Sequence, residues 1–283
     1  MSEKTIYNLL GPAFLLILLI GESSAQISKN FTKKKQPIYE IGAGIISLSL
    51  PNYPGAQSTT LRTIPFPWII YRGEYLKSDE EGSRLQIIKD KGFEFGVSGG
   101  FNFPIKSEEN DARNGMPDTD ALLGFGPSLI FRYPTESKLT RLTFGLGLRI
   151  NYSIAPSFTF REQGFVAEPN IKYWHRPSKE SPYTFFSRFS VAFADESYNN
   201  FFYGVKNEFE TPTREAFDAL SGVVDIGASL GFSVELTKNL FLFTSGFYSN
   251  LTLAANKESD LIEDHHNTGF IFGLSWMLFE KYL

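Results

Sequence analysis

Cysteine is absent from all 283 residues, and histidine occurs only three times. Without cysteine the chain has no disulfide framework and no thiolate metal site. The three histidines leave little for nucleophilic catalysis. His175 stands at the end of a predicted strand, His265 and His266 stand in a predicted loop, and no nucleophile is assignable to any of them. Long apolar runs are also missing: beyond residue 25 none reaches the 18 residues that mark a membrane helix. Nor does one sign of charge dominate. With 27 basic and 31 acidic residues, the chain lacks the basic footprint of a nucleic-acid binder. Mean hydropathy, at −0.15, reads as that of a soluble protein.

What is present is alternation. From Leu142 to Ile154 every second residue is apolar (Leu142, Phe144, Leu146, Leu148, Ile150, Tyr152, Ile154), with Thr143, Gly145, Gly147, Arg149, Asn151 and Ser153 between them. A strand sends alternate side chains to opposite faces, so this segment has one apolar and one polar face. Soluble sandwiches alternate too, but over about 5–6 residues, whereas a tilted strand needs roughly 9–11 to cross a bilayer. The averaged hydropathy conceals such spans because half of each strand is polar. The 28 phenylalanines and 24 glycines fit a lipid-facing wall around a crowded interior.

Residues 1–25 read as an export signal: Lys4, an apolar run from Leu9 to Ile20, then Gly21-Glu22-Ser23-Ser24-Ala25 at the expected cleavage site. Residues 26–37, with Lys33-Lys34-Lys35, read as a short periplasmic tail, and 38–283 as one barrel domain. About twelve antiparallel strands are expected: 39–50, 64–71, 74–78, 84–89, 93–103, 122–133, 139–155, 164–174, 183–194, 220–236, 240–253 and 268–279. The number falls to ten if the weak pair around Glu80 does not cross. A bulge is expected at Ile45-Ile46, and Pro65 and Pro67 predict an irregular second strand. Short connections (134–138, 176–181, 237–239) alternate with longer ones (51–62, 107–120, 156–163, 195–219, 254–267), as when turns face the periplasm and loops face outward.

The polar face carries Glu94, Arg132, Arg141, Arg149, Glu168, Lys172, Arg188, Asp225 and Glu235. Six of these, Glu94, Arg141, Arg149, Glu168, Arg188 and Asp225, are expected to line a narrow lumen. The same residues suit a barrel plugged by its own ion pairs, since about twelve strands lie between filled and open barrels. Glu263-Asp264-His265-His266 lacks regular metal-ligand spacing and reads as an exposed loop. Thr211-Pro212 has the form of a helix start, and Phe201-Phe202-Tyr203 that of a packed lid. No cofactor and no metal are expected.

Two loops give these residues a context. Leu50-Pro51-Asn52-Tyr53-Pro54-Gly55-Ala56 opens the first. The largest reads Asp195, Tyr198, Tyr203-Gly204-Val205 and then Thr211-Pro212. In order and spacing these segments resemble the MipA/OmpV family of outer-membrane proteins over nearly the whole mature chain. Asn207 to Glu210 stand as an insertion, Asp260 replaces a usual proline, and Leu278 fills a terminal slot that is usually aromatic. The resemblance implies an outer-membrane β-barrel of a Gram-negative bacterium, surrounded by lipid and lipopolysaccharide. It also implies a non-enzymatic scaffold that holds a periplasmic lytic transglycosylase and a penicillin-binding protein. A narrow passive channel for small solutes is the alternative. Tyr53, Pro54, Gly55, Asp195, Tyr198, Tyr203, Gly204 and Val205 are then the family-motif loop residues.

Overall fold

Outward apolar and inward small or polar residues alternate along the long strands, and the sheet they form curls on itself to give each face a separate environment. The computed structural model describes residues 37–72, 76–79, 82–85, 89–90 and 92–282. The expected signal segment and nearly all of the tail lie outside the described residues. Among the described residues thirteen strands form one antiparallel sheet: β1 Tyr39–Pro51, β2 Thr59–Arg72, β3 Leu76–Asp79, β4 Gly82–Leu85, β5 Lys89–Asp90, β6 Phe93–Asn102, β7 Ala121–Tyr133, β8 Thr140–Ile154, β9 Phe160–His175, β10 Tyr183–Ala194, β11 Gly222–Thr237, β12 Leu240–Asn250 and β13 His266–Lys281. A short helix, α1, spans Glu196–Tyr203.

Apart from β4 and β5, neighbours in sequence are neighbours in the sheet, and β1 also pairs with β13. That pairing joins the two ends of the meander. The two edges of the sheet, β4 and β5, are consecutive in the chain. Ten strands run ten residues or more, long enough to span. The weak pair around Glu80 corresponds to β3 and β4, which are four residues each.

Three local expectations need correction. The β1 register shift falls between Ile41 and Gly42 in its ladder with β13. At Ile45-Ile46 alternation is unbroken: Ile45 faces out and Ile46 is buried inside, because part of the inner wall is itself apolar. The second strand is continuous over 14 residues and pairs with β1 without a shift, passing Pro65 opposite Ile45 and Pro67 opposite Ala43. Two residues apart, both prolines turn their nitrogens toward one edge, the side away from β1 where no ladder bond is lost. Finally, β9 begins at Phe160, so the loop preceding it is only 155–159. The extra length passes through a bulge, where Phe165 pairs with Ile150 but Glu162 with Tyr152.

The outer wall is apolar. Phe93, Phe95, Val97, Phe125, Phe144, Leu146, Phe185, Phe189, Phe270 and Phe272 are all exposed on it. Toward the end that holds the start of β1 and the end of β13, tyrosines gather. Tyr39 stacks on Tyr71 at 4.8 Å, with Tyr133, Tyr173, Tyr183 and Trp276 exposed nearby in register. His175 stacks beside Tyr173 in the same band. This is the aromatic girdle of a membrane interface. Turns at this end are short (134–139, 176–182, 238–239), while connections at the other are mostly longer (52–58, 103–120, 155–159, 195–221, 251–265).

Candidate functional site

Four of the longer connections, 52–58, 103–120, 195–221 and 251–265, fold against one another and build a second core at the barrel's outer end. Tyr53, Ile105, Phe202, Tyr203, Val205, Ala219, Leu251, Ala254, Leu261 and Ile262 are buried there together with Leu122, Val166 and Val224 from the strand ends. Polar side chains satisfy the loop backbones. Asn267 accepts from the Gly55 amide at 2.5 Å and donates to the Ala56 carbonyl at 3.1 Å. Asn256 accepts from the Leu220 amide and donates to its carbonyl. Arg214 donates to the carbonyls of Ala112, Asn114 and Phe209. Ser259 donates to the carbonyl of Tyr203 at 2.8 Å. The result is a packed cap.

The family-motif residues are the framework of this cap. Tyr53 is 2% and Tyr203 0% exposed, and Val205 pairs with Phe217 in an isolated bridge. Gly55 has φ +95, and its carbonyl accepts from both Glu263 and Asp264. Asp195 is the N-cap of α1 and accepts from the Tyr198 amide at 3.0 Å. The loop helix therefore starts at Asp195, whereas Thr211-Pro212 forms a tight turn closed by a bridge from Thr211 to Arg214. Asp195 holds the N-cap because the carboxylate reaches a free helical amide, while the Thr211 amide and carbonyl are bound to Arg214. Phe202 and Tyr203 point into the cap core. Burial pushes the phenols of Tyr53 and Tyr203 up, and holds that of Tyr198 at about 12. The loop histidines take separate partners: His266 meets the Tyr248 hydroxyl at 2.6 Å and His265 the Lys257 carbonyl at 3.3 Å.

Beneath the cap the lumen has two unlike halves. Ile46, Leu48, Phe66 and Phe243 are buried on one side, with Leu50, Ile64, Trp68, Phe101, Phe103 and Ile271 packed on them. This half is filled. The other half, along β6 to β11, holds a cavity of ≈530 Å³. Small residues keep it open: Ser98, Gly100, Gly124, Ser128, Gly145 and Gly147 line its wall. A Cβ on Gly145 would stand 2.7 Å from the Asn170 amide oxygen, and one on Gly147 2.5 Å from the Ser98 hydroxyl. The glycines thus let polar side chains lie flat against the sheet.

Arg149 crosses this wall. It donates to Ser98 on β6 at 3.1 Å and to Glu168 on β9 at 2.7 Å. Glu168 also accepts from Arg188 on β10, so one carboxylate bridges two guanidinium groups. Asp225 accepts from Ser249. Lys172 and Trp174 line the cavity with them, and Tyr198 and Pro54 enter it from the cap. Of the six residues expected in the lumen, Arg149, Glu168, Arg188 and Asp225 meet at this cavity. Glu94 and Arg141 do not: Glu94 accepts from Arg132 at 2.8 Å, and Arg141 lies over the Trp174 ring at 5.7 Å, toward the inner end. Alternation alone identifies the inward face, but Lys172 and Ser98 carry no signal that selects them for the site. Arg113, Arg214, Asn256 and Asn267 are also missed, because irregular loops have no period from which to infer a partner.

A lipid-facing apolar wall, an aromatic girdle, a small-residue interior and segregated loops together define an outer-membrane β-barrel of a Gram-negative bacterium. The chain belongs to the MipA family, described as MltA-interacting protein MipA, whose sequence model matches residues 41–278. No curated protein is significantly similar in sequence. Among solved structures the chain is similar to the translocator domain of the autotransporter NalP from Neisseria meningitidis (12% identity, TM-score 0.44, covering 92% of this chain and 95% of that one). It is also similar to the Pseudomonas putida toluene transporter TodX (9% identity, TM-score 0.36, covering 91% and 92%). A third is OmpT, an outer membrane protein of Vibrio cholerae (10% identity, TM-score 0.33, covering 81% and 67%).

Proposed function

We propose that the protein is a non-enzymatic scaffold that assembles cell-wall enzymes at the periplasmic face of the outer membrane. Its partners in this reading are a lytic transglycosylase, the class that the family description suggests, and a penicillin-binding protein. The observation that carries the reading is the cap: four loops share one apolar core with the strand ends over the outer mouth. Such packing suits a rigid membrane-held body better than a diffusion pore. Partners would dock on the short turns 134–139, 176–182 and 238–239, whose small area favours contacts shared with the N-terminal tail. A narrow channel is the second reading, and the ≈530 Å³ cavity with its charged wall is what favours it.

One paired experiment separates them. Photo-crosslinkers at Lys138, Lys179 and Lys238 in cells are expected to trap a murein-active enzyme, while the refolded barrel stays electrically silent in planar bilayers. Steady conductance without crosslinks would overturn the scaffold in favour of the channel.

A further inference from the structure

The backbone ladder does not run all the way round the barrel wall. β2 pairs with β1 along its whole length, but on its other side β3 meets it only at Tyr71 and Arg72. β6 pairs with β7 from Phe93 to Asn102, but on its other side β5 meets it only at Phe93 and Glu94. β3 and β4 are four residues long and β5 two, so they fill the gap at the inner end alone. Among the described residues, 59–70 of β2 and 95–102 of β6 therefore bound a seam that no ladder crosses.

Side chains bridge the seam instead. The Arg62 guanidinium lies 4.6 Å from the centre of the Phe103 ring, and Phe101 stands edge-on to Phe103 at 5.1 Å. Phe101 shares the facing of Phe93, Phe95 and Val97, which are exposed on the outer wall. Yet Phe101 and Phe103 pack on the lumenal cluster of Ile46, Leu48, Phe66 and Phe243, as Ile64 does. A side chain of outward parity reaches an interior cluster by passing round the edge of its strand. The two rings turn in through the seam.

The two edges of the seam are unlike. Alternate residues of a strand present their amides to the same side. On the free side of β2, Pro65 and Pro67 remove two successive donors, which makes this edge a poor template for a partner strand. The surface behind it, Ile64, Phe66 and Phe101, is apolar, and such surfaces stay dry. The edge of β6 adjoins the lumenal cavity, whose described lining includes Val97 to Asn102. A polar lumen can solvate its free backbone groups, the setting in which unpaired backbone is tolerated at membrane depth. Leu61 and Val97, 72% and 50% exposed, stand on the lipid-facing lips.

A strand is disfavoured by the prolines and water by the apolar surface, while the outer wall continues into the seam without a break. We propose that the seam is a lateral opening that takes up the acyl chain of a surrounding lipid, with Arg62 and Phe103 as its latch. The chain enters between Leu61 and Val97 and lies on Ile64, Phe66 and Phe101. This opening goes beyond the scaffold reading and does not depend on it.

The test places the refolded full chain in phosphatidylcholine vesicles that include a phosphatidylcholine with a diazirine at mid-chain. Irradiation and peptide mass spectrometry then map where the acyl chain has been. Outward residues such as Phe144 and Phe189 should carry adducts on every long strand. Inward residues should carry them only at the seam, on Ile64 and Phe66, and not on Thr143 or Asn170 in the laddered wall. Phe103→Ala removes the ring beneath Arg62 and is expected to raise the Ile64 and Phe66 adducts about threefold, as suits loss of one cation–π contact. Phe101→Ala serves in its place should Phe103→Ala not fold. Adducts confined to outward residues, equal labelling of Thr143 and Asn170, or no rise in the folded variant would each overturn the proposal.

Discussion

Arg113, in the loop between β6 and β7, donates to the main-chain carbonyl of Phe202 in α1 at 3.2 Å, across 89 residues of sequence. The same guanidinium lies 5.8 Å from the Tyr53 ring. One buried cation therefore ties together three of the four loops of the cap, and it is only 3% exposed. Arg113→Ala leaves the Phe202 carbonyl unsatisfied in an apolar setting, at a cost of about 1–3 kcal/mol. The expected outcome is faster proteolysis within 195–221, while the membrane-embedded strands keep their heat-modifiable mobility in gels. Unchanged loop cleavage would show that Arg113 is not the tie.

Alkali should open the cap before it unfolds the barrel. Burial favours the neutral phenols of Tyr53, Tyr198 and Tyr203, and the Tyr198 phenol is pushed up to about 12. An unfolded tyrosine ionises near about 10. The folded cap therefore binds more protons than the open one once the pH exceeds that value. Its stability is whole below about pH 10 and falls as the pH rises toward 12. Phenolate absorbance should show a late phase that coincides with loop proteolysis. A titration complete before any loop becomes cleavable would contradict this.

The strands were legible because a lipid-facing wall imposes a period of two on long segments: Leu142 to Ile154 shows it without a break. Faces were legible for the same reason, so Arg149, Glu168 and Arg188 could be assigned inward. Their meeting depends on the ladder offsets, which set Gly147 opposite Glu168 and Arg188 opposite Lys172. Nothing in a single strand states its neighbour's register. The cap was legible only through its punctuation. Thr211-Pro212 has the composition of a helix start, but the Thr211 amide is spent on Arg214, and Asp195 has the free geometry. Asn267 and Gly55 lie 212 residues apart, and no local pattern announces that bond.

The start of the cap helix rests on the Asp195 side chain and on the space beside it. Asp195→Ala removes the acceptor for the Tyr198 amide and should cost about 1 kcal/mol. Gly164 on β9 has φ +86, and a Cβ there would meet the Asp195 carboxylate and stand 2.6 Å from the Tyr198 nitrogen. Gly164→Ala should therefore displace the helix start as well as strain its own backbone. Hydrogen exchange at 196–203 is the measurement. Gly164→Ala is expected to lose more protection than Asp195→Ala, and the reverse order would mean that the helix is held from its other end.

A last comparison separates backbone strain from packing. Gly55 and Gly115 both occupy the left-handed region, at φ +95 and +83. Beside Gly115 a Cβ would meet nothing within 4 Å, whereas at Gly55 it would stand 3.0 Å from the Ile262 side chain. Alanine at either site incurs the conformational cost of about 1–2 kcal/mol. Only Gly55→Ala also pushes on Ile262, and through it on the turn whose Glu263 and Asp264 amides bind the Gly55 carbonyl. Loop cleavage within 251–265 is thus expected to rise in Gly55→Ala and stay at its original rate in Gly115→Ala. Equal rises in both variants would assign the whole effect to the backbone and leave Ile262 free to yield.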